Sequence, residues 1–306
     1  MVLLLHRLGL PHKLSSRLDN HHQTPPPEAL SASLQAFRSD VSNRLRQLLG
    51  NPAPELEFMS LEWIKKCFEL LPVINRAFAK MVVDIDYPMS KWEVGAAEEY
   101  LSYSLNLLEL LNSVTSSISH LNQARLSLSH ALSLIETTPS LMTKRATKIR
   151  SANSSKDFKV GKVGVNEERP WSGKEYVIHE ALLLIKSTGF WVFGIVLSGL
   201  SGDVRPYMEM RKFIDFTSMA LEASLFIEMT NKGCVIKELK EIDDAVASIA
   251  DGRGGDAAAE ELKSRLEVLE KVLQGVGEEA DDLFSKILAG RNELLDSLRR
   301  KSSSNT

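Results

Sequence analysis

The sequence is short of cysteine, with only Cys67 and Cys234 among its 306 residues. Two cysteines cannot form a disulfide framework or supply four thiolates to a zinc ion, and their scarcity fits a reducing compartment. The chain also lacks an excess of positive charge, because 37 Lys and Arg residues stand against 40 Asp and Glu residues. We therefore expect no nucleic-acid partner, since no global positive field would attract one.

Catalytic motifs are incomplete wherever they begin. His179-Glu180 starts like the helix of a zinc protease, but Leu183 stands where the second metal-binding histidine is required. Residues 199–201 start like a nucleophile elbow, but Asp203 stands where the closing glycine is required. A phosphate-binding loop is also missing from the sequence. We expect a non-enzymatic protein with no catalytic residues, no cofactor and no metal site.

Three pairs of adjacent acidic residues are the remaining candidates for acid-base chemistry. They are Glu98-Glu99, Asp243-Asp244 and Asp281-Asp282. Nothing near them in the sequence indicates a cleft that would hold two carboxylates together. We interpret all three pairs as solvated charges on the polar faces of helices.

From Ala29 onward, apolar residues recur at intervals of three and four, and no stretch alternates as a half-buried strand would. The sequence therefore predicts an all-α fold, an elongated bundle of long antiparallel helices without a sheet. Three heptad seams carry this prediction: Leu107, Leu111, Val114, Ile118, Leu121, Leu128, Leu132 and Ile135, with Arg125 as a polar interruption; Val235, Leu239, Ile242, Val246 and Ile249; and Leu262, Leu266, Leu269, Leu273, Val276, Ala280, Leu283, Ile287 and Leu294, interrupted at Gly290.

We expect these seams to pack on one another within one chain. The glycines of residues 251–256 would stop the second seam and allow an antiparallel return. The alternative is a coiled coil between chains, which the serine-rich flank of the first seam does not favour. The oligomeric state is left open.

The predicted organisation is a single helical domain over residues 29–299. Residues 1–28 form a basic, histidine-containing arm, and residues 300–306 form a disordered tail. Residues 139–174 are rich in lysine and arginine but poor in apolar side chains, which predicts a partly disordered connection. We interpret this basic connection as a solvated loop, with anionic lipid or an acidic protein as the alternative partner.

Residues 181–200 are the only apolar stretch long enough to raise the question of a membrane span. Lys186 interrupts it, and the remaining twelve residues would cover only about 18 Å of a hydrocarbon core of about 30 Å. We expect a buried core helix with Lys186 reaching the end of the bundle. Gly194, Ser198 and Gly202 would form a smooth groove for a close neighbour. The alternative is a membrane-inserted or membrane-lying helix.

Two tryptophan blocks, residues 60–65 (SLEWIK) and 86–93 (DYPMSKWE), have clear local interpretations. Pro88 disfavours helix at the preceding residue, and Ser90 with Glu93 fits a capping box for the next helix. We expect Trp63 and Trp92 to be buried where helices dock. We also expect Pro72 to end or kink the first long helix.

The two blocks resemble the paired tryptophan blocks of the plant BYPASS-related proteins in order and spacing. Residues 100–101, 121–123 and 284–295 are similar to further blocks of that family, so the resemblance covers residues 30–300 apart from the basic connection. Tyr87 departs from the family pattern, where leucine is commoner, and Glu93 stands where aspartate is commoner.

The resemblance implies a plant developmental regulator required for normal root and shoot growth. It also implies that the protein restrains a root-derived mobile signal that arrests the shoot, through an unidentified protein partner. The family offers no catalytic residues to carry over. The alternatives are a membrane-associated trafficking adaptor, through residues 181–200 and the basic connection, and a small-molecule carrier or cryptic enzyme. We expect a location in the cytoplasm or at a membrane surface that faces it, with the plastid as the alternative because residues 1–28 are poor in acid.

Overall fold

The computed structural model of the protein describes residues 27–50, 58–133, 173–213, 233–251 and 255–304. Within these residues the chain forms seven α-helices and no strand. The helices are α1 (Pro27–Gly50), α2 (Leu61–Asp84), α3 (Val94–Leu132), α4 (Gly173–Ser201), α5 (Arg205–Arg211), α6 (Lys237–Ala250) and α7 (Gly255–Ser304), and a 3-10 turn, Met89–Lys91, lies between α2 and α3. The predicted all-α bundle without a sheet is confirmed.

The ends of the helices differ slightly from the predicted domain limits. Helix α1 begins at Pro27, inside the predicted arm, and helix α7 continues to Ser304, inside the predicted tail. Residues 1–26 of the arm, residues 139–172 of the basic connection and residues 252–254 of the glycine turn lie outside the described residues. The predictions for those segments remain predictions.

Helices α3 and α7 are the long elements of the bundle, and they run antiparallel. Near one end Arg291 contacts the carbonyl of Leu101 and the hydroxyl of Ser104, and further along Arg125 donates to Glu270 over 2.8 Å. The first and third seams lie buried along this contact, except for Leu132, which is half-buried, and Ile135, which lies outside the described residues. Arg125, the polar interruption of the first seam, therefore pairs with an acid of α7.

Helix α6 carries the second seam and packs along α7. Leu239, Ile242 and Val246 are buried, and Val235 and Ile249 are half-buried against the same core. Contact between the two helices explains why the apolar residues of α6 recur on one face. All three seams therefore pack within the chain, as expected.

Helix α4 lies in the middle of the bundle, in contact with α1, α2, α3 and α5. Every residue from 187 to 200 is buried. By length and composition alone α4 is apolar enough to cross a membrane, but 89% of its apolar window is buried inside the protein. The bundle thus supplies the burial that the sequence predicted for residues 181–200.

Small residues on α4 admit the short helix α5. A Cβ atom added at Gly194 would lie 3.2 Å from Cα of Tyr207, and the backbone N–H of Tyr207 donates to the hydroxyl of Ser198 over 3.0 Å. Gly202 follows the helix with a φ of +69°, a left-handed conformation that glycine adopts without strain. The predicted groove therefore exists, and the neighbour that fills it is the next helix of the same chain.

Trp63 and Trp92 are both 2% exposed, as predicted. The ring of Trp92 packs edge-on against Phe78 and Tyr100, at centroid distances of 6.1 and 5.9 Å. Its indole N–H donates to the carbonyl of Tyr87 over 3.1 Å. Trp92 therefore joins the end of α2 to the start of α3 with its polar atom satisfied.

The predicted capping box is wrong. Ser90 lies in the 3-10 turn, α3 begins at Val94, and Glu93 is the N-cap residue without a side-chain capping bond. The reason is the extended backbone of Trp92, with φ of -60° and ψ of 143°, which separates Ser90 from the helix. Ser90 and Glu93 therefore do not form a capping box, because the backbone is extended at Trp92 where the indole ring enters the core.

Pro72 does not end the first long helix. Helix α2 passes through Pro72 and continues to Asp84. Proline removes one backbone donor from a helix, but buried apolar side chains on both sides of it, including Phe68, Leu71 and Ile74, keep α2 in the core. Tertiary packing thus outweighs the local preference of proline.

Candidate functional site

Buried charge between α3 and α4 is concentrated around Glu99. One carboxylate oxygen, Oε2, lies 2.8 Å from Nδ1 of His179, and the other, Oε1, accepts a hydrogen bond from Nζ of Lys186 over 3.0 Å. The side chain of Glu99 is 5% exposed and that of Lys186 is 15% exposed. We call these three residues the Glu99 cluster. It joins two core helices through a largely buried network of charge.

The helical repeat explains why these three residues meet. His179 and Lys186 are seven residues apart, which places them two turns apart on one face of α4. Helices α3 and α4 run in the same direction, because Glu93 contacts Glu175 near their starts and Tyr103 donates to the carbonyl of Ile185 further along. Glu99 therefore lies between the two turns of α4 that carry its partners.

Two opposing effects act on the carboxyl group of Glu99. Burial by itself raises its pKa, whereas the hydrogen bonds and positive charges of His179 and Lys186 lower it. The partners prevail, and the pKa of Glu99 lies below its ordinary value. Glu99 is therefore ionised at neutral pH, and it compensates the lysine inside the apolar helix.

A second buried carboxylate, Glu175, joins the start of α4 to the start of α3. Its Oε1 atom accepts hydrogen bonds from the hydroxyl of Tyr87 over 2.8 Å and from the backbone N–H of Glu93 over 2.5 Å. Burial and the neighbouring Glu175 carboxylate raise the pKa of Tyr87. Glu175 thus caps α3 from another helix, and Tyr87, where the family more often has leucine, takes part through its hydroxyl group.

A third carboxylate, Glu238, makes the same kind of contact between α6 and α2. Both of its oxygens lie 3.0 Å from the backbone nitrogen of Leu61. In return the N–H of Lys237 donates to the carbonyl of Met59 over 2.9 Å. Burial raises the pKa of Glu238 above its ordinary value. The starts of two helices far apart in sequence are therefore tied to each other.

The chemistry of these sites is that of attachment between helices. Both oxygens of Glu99 are engaged by side chains of α4, one by His179 and the other by Lys186. Within the described residues, no group of three or more His, Cys, Asp and Glu side chains is placed to hold a metal ion. Cys67 is buried, and this burial raises the pKa of its thiol. The contacts of these carboxylates can fix the positions of the helices, and their strength depends on the charge of the groups that form them.

Glu99 is the site residue that the sequence did not predict. It was expected to be solvated like Glu98, yet Glu99 is buried, whereas Glu98, Asp281, Asp282 and Asp244 are exposed. The signal that could have found it is Lys186, because a lysine in a buried apolar helix requires an acidic partner. The sequence does not indicate which of its acids that partner is.

The incomplete metal motif at His179-Glu180 has a structural explanation. His179 contacts Glu99 of α3, and Glu180 forms an ion pair with Arg38 of α1. The two adjacent residues of α4 therefore point to different neighbouring helices. Their sequence order resembles the start of a zinc motif, but the structure uses each side chain for a separate contact.

Over most of its length the chain is similar to an Arabidopsis thaliana protein named Protein BPS1, chloroplastic. The two are 22% identical over 294 residues, which cover 87% of this chain and 83% of the relative. The chain is thus similar to the BYPASS-related plant family over most of its length. The resemblance seen in the tryptophan blocks is thereby confirmed.

Two rice proteins extend the comparison. Both are named UPF0496 protein 4, one from Oryza sativa subsp. japonica and one from subsp. indica, and each is 24% identical over 202 residues. The match covers 59% of this chain but 44% of each rice protein, so the chain spans less than half of their length. No protein-family model and no solved structure matches the chain.

Proposed function

We propose that this chain is a non-enzymatic regulator of plant development, required for normal root and shoot growth. It restrains the production of a root-derived mobile signal that arrests growth, and it acts by binding another protein. Similarity to the BYPASS-related family supports the developmental role. The observation that carries the non-enzymatic part is the Glu99 cluster, whose buried charges are all used to join α3 to α4.

Reciprocal grafting tests the developmental part of the proposal. Roots that lack the protein, grafted under wild-type shoots, should arrest the growth of those shoots, whereas wild-type roots under shoots that lack the protein should not. This asymmetry is expected because the signal is made in the root. Arrest that follows the genotype of the shoot would contradict the proposal.

Two conservative variants test the non-enzymatic part. Glu99→Gln keeps the size of the side chain and its ability to accept from Lys186, and His179→Gln keeps a polar contact with Glu99. If the cluster is structural, each variant that shows the cooperative melting transition of a folded protein should restore growth to plants that lack the wild-type chain. A folded Glu99→Gln variant that fails to restore growth would indicate acid-base chemistry at this cluster instead.

The partner is a protein, and its identity can be sought by proximity labelling in root cells. The exposed substitution Val94→Ala provides a matched control, because Val94 is 63% exposed at the start of α3. Labelling by the wild-type and control fusions should enrich the same proteins. A labelling pattern identical to that of an unfused labelling enzyme would contradict a specific partner.

A membrane-associated trafficking adaptor is the second candidate function, favoured by the length and apolarity of α4. Fractionation of a tagged full-length chain separates the two functions. The regulator should be released from membranes by alkaline washing, whereas an inserted adaptor should resist it. A retained small molecule in native mass spectrometry would instead favour the third function, a carrier.

The compartment belongs to the same proposal. We place the protein in the cytoplasm, at or near a membrane surface, and the plastid is the second candidate. The plastid is favoured by the word chloroplastic in the name of the Arabidopsis relative and by the low acidity of residues 1–28. A fluorescent fusion at the carboxyl terminus, with and without residues 1–26, distinguishes the two, because only plastid import requires those residues.

A further inference from the structure

Helices α2 and α4 have their ends at a common level, and within the described part of the chain three helices continue beyond it. Helix α2 begins at Leu61, and α4 ends beside this point, since a Cβ atom added at Gly199 would lie 2.7 Å from Ile64. Tyr103 of α3 contacts Ile185 of α4, and Ser104 of α3 contacts Arg291 of α7, so the end of α4 is level with about residues 276–278 of α7. The start of α2 is therefore level with residues 273–277 of α7. We call the part of the bundle that contains α1, α2, α4 and α5 the body.

Beyond this level, the described chain consists of the last turns of α3, helix α6 and the first turns of α7. We call these three segments, residues 120–132, 237–250 and 255–274, the arm from here on; the N-terminal residues 1–28 are not part of it. Arg125 joins α3 to Glu270 of α7 within the arm, and Arg265 of α7 pairs with Glu241 of α6. The arm is thus a three-helix extension of the body, continuous with it through α3 and α7.

Helix α7 carries two glycines, Gly275 and Gly277, at the boundary between body and arm. A Cβ atom added at either position would meet no other atom within 4 Å. The glycines of α4 are different, because a Cβ atom at Gly189 or Gly199 would lie within 2.7 Å of a neighbouring side chain. Packing therefore requires glycine in α4 but not at these two positions of α7. What they contribute is freedom of the backbone.

Helix α3 is weakened at the same level. The contacts of Arg125 with Glu270 and of Arg291 with Ser104 set the register of the pair and place Val276 level with Ser119. Most of residues 112–122 of α3 are serine, threonine, asparagine or histidine, which are poor helix formers, and the others are apolar.

Hydrogen bonds inside α3 add to this weakness. The hydroxyl of Ser113 donates to the carbonyl of Glu109 over 3.1 Å, and that of Ser117 donates to the carbonyl of Ser113 over 2.9 Å. Side chains that bond backward in this way compete with the backbone and bend helices. Both long helices therefore carry helix-weakening residues in the same cross-section.

We propose that the α3–α7 pair bends at this cross-section, so that the arm changes its angle to the body. A clasp opposes the bend, in which Glu238 accepts from the N–H of Leu61 and Met59 accepts from the N–H of Lys237. The clasp holds Met59 at a φ of 60°, a left-handed conformation that is unfavourable for any residue with a side chain. Release of the clasp would relieve this strain, which offsets part of the loss of its hydrogen bonds.

Distances between two spin labels on the full chain test the proposal. One label replaces Lys80 in the body and the other replaces Ser264 in the arm, both exposed, while the native cysteines are buried and react slowly. The reference pair, at Lys80 and Ser102, lies within the body. We expect a clearly wider distance distribution for the body-to-arm pair than for the reference pair.

The variant Gly275→Ala/Gly277→Ala should narrow the body-to-arm distribution. It should also slow amide hydrogen exchange in residues 272–280 roughly tenfold, since alanine is the better helix former. Its folding is secure because each added methyl group enters open space. Glu267→Ala, at an exposed position of the same helix within the arm, is the matched control and should leave the distribution unchanged.

Two results would overturn the bend. One is a body-to-arm distribution as narrow as the reference. The other is a body-to-arm distance distribution that stays equally wide in the double variant while its amide hydrogen exchange slows. That result would mean that the glycines loosen α7 without moving the arm. Neither result bears on the developmental role, which the grafting experiment tests separately.

Discussion

At the scale of single residues, Glu99 explains how α4 can be both apolar and buried. Lys186 would be unfavourable in the core without a counter-charge, and Glu99 supplies that charge from α3. The sequence analysis expected Lys186 to reach the end of the bundle, but the structure holds it beside Glu99. The ion pair between Glu99 and Lys186 therefore favours a position of α4 inside the packed bundle.

A double-mutant cycle measures this pairing. Glu99→Ala leaves Lys186 largely buried without its carboxylate and should lower the free energy of unfolding by about 3 kcal/mol. In a Lys186→Met background the same substitution should be milder, with a coupling energy of about 1–3 kcal/mol, by chemical denaturation. Equal losses in both backgrounds would show that Glu99 does not act through Lys186.

The pH dependence of stability is a second test of Glu99. Because its folded-state pKa lies below the ordinary value of 4.5, its stabilising contribution is complete above that value and is lost as the pH falls through the lowered pKa. The difference in unfolding free energy between wild type and Glu99→Gln should therefore shrink from about pH 7 to about pH 3.

Glu238 should change the free energy of unfolding in the opposite direction when the pH is lowered. Its folded-state pKa is raised, so its ionised form destabilises the fold, and lowering the pH through the raised value relieves that penalty. Relative to Glu238→Gln, the wild type should gain stability as the pH falls. Parallel curves for the two glutamates would contradict the assignment of their environments.

Trp92 is a large core residue whose removal should strongly disturb the packing. Trp92→Ala removes a ring that packs between Phe78 and Tyr100, and it should cost about 3–5 kcal/mol in thermal or chemical unfolding. Val94→Ala, two residues later and largely exposed, should change stability by less than about 0.5 kcal/mol. A Trp92→Ala protein that melts within a degree or two of wild type would be incompatible with its docking role.

At the scale of helices, the same substitution should have opposite effects on α4 and α7. In α4, a methyl group at Gly189 would lie 2.6 Å from the hydroxyl of Tyr103, so Gly189→Ala should destabilise by about 1–3 kcal/mol. In α7, Gly275→Ala enters open space and should stabilise by about 1 kcal/mol.

Unfolding curves of the two single variants check both signs. Tyr103→Phe should recover part of the loss caused by Gly189→Ala, because it removes the atom that the new methyl group would meet. If Gly189→Ala were stabilising, the close contact between α3 and α4 would be wrong.

The helices were predictable from the sequence where their signal is local. The spacing of Leu262, Leu266 and Leu269 requires only a helix with one apolar face, and that face is buried in the structure. The start of α3 was not predictable, because its backbone is satisfied by Glu175 of a different helix rather than by Ser90. A pattern of neighbouring residues cannot report a cap that comes from a distant part of the chain.

At the scale of the whole molecule, the order of contacts between helices was beyond the sequence. Heptad seams state which face of α3 or α7 is buried but not which helix covers it. The family resemblance came from short blocks such as residues 86–93, whereas the Glu99 cluster joins residues some 80 positions apart. Short local patterns were therefore enough to predict the fold class. They could not predict the candidate site, because it joins residues that are distant in the sequence.

The central claim is that α4 is a core helix of a packed bundle, and the variant Leu197→Arg tests it most directly. Leu197 is buried inside the protein, so a charge at this position should disrupt a bundle but should expel a membrane helix from a bilayer. The account predicts that the wild-type full-length chain is soluble and monodisperse without detergent and that Leu197→Arg unfolds or aggregates. Recovery of the wild type only in detergent, with Leu197→Arg released as a folded soluble protein, would contradict it.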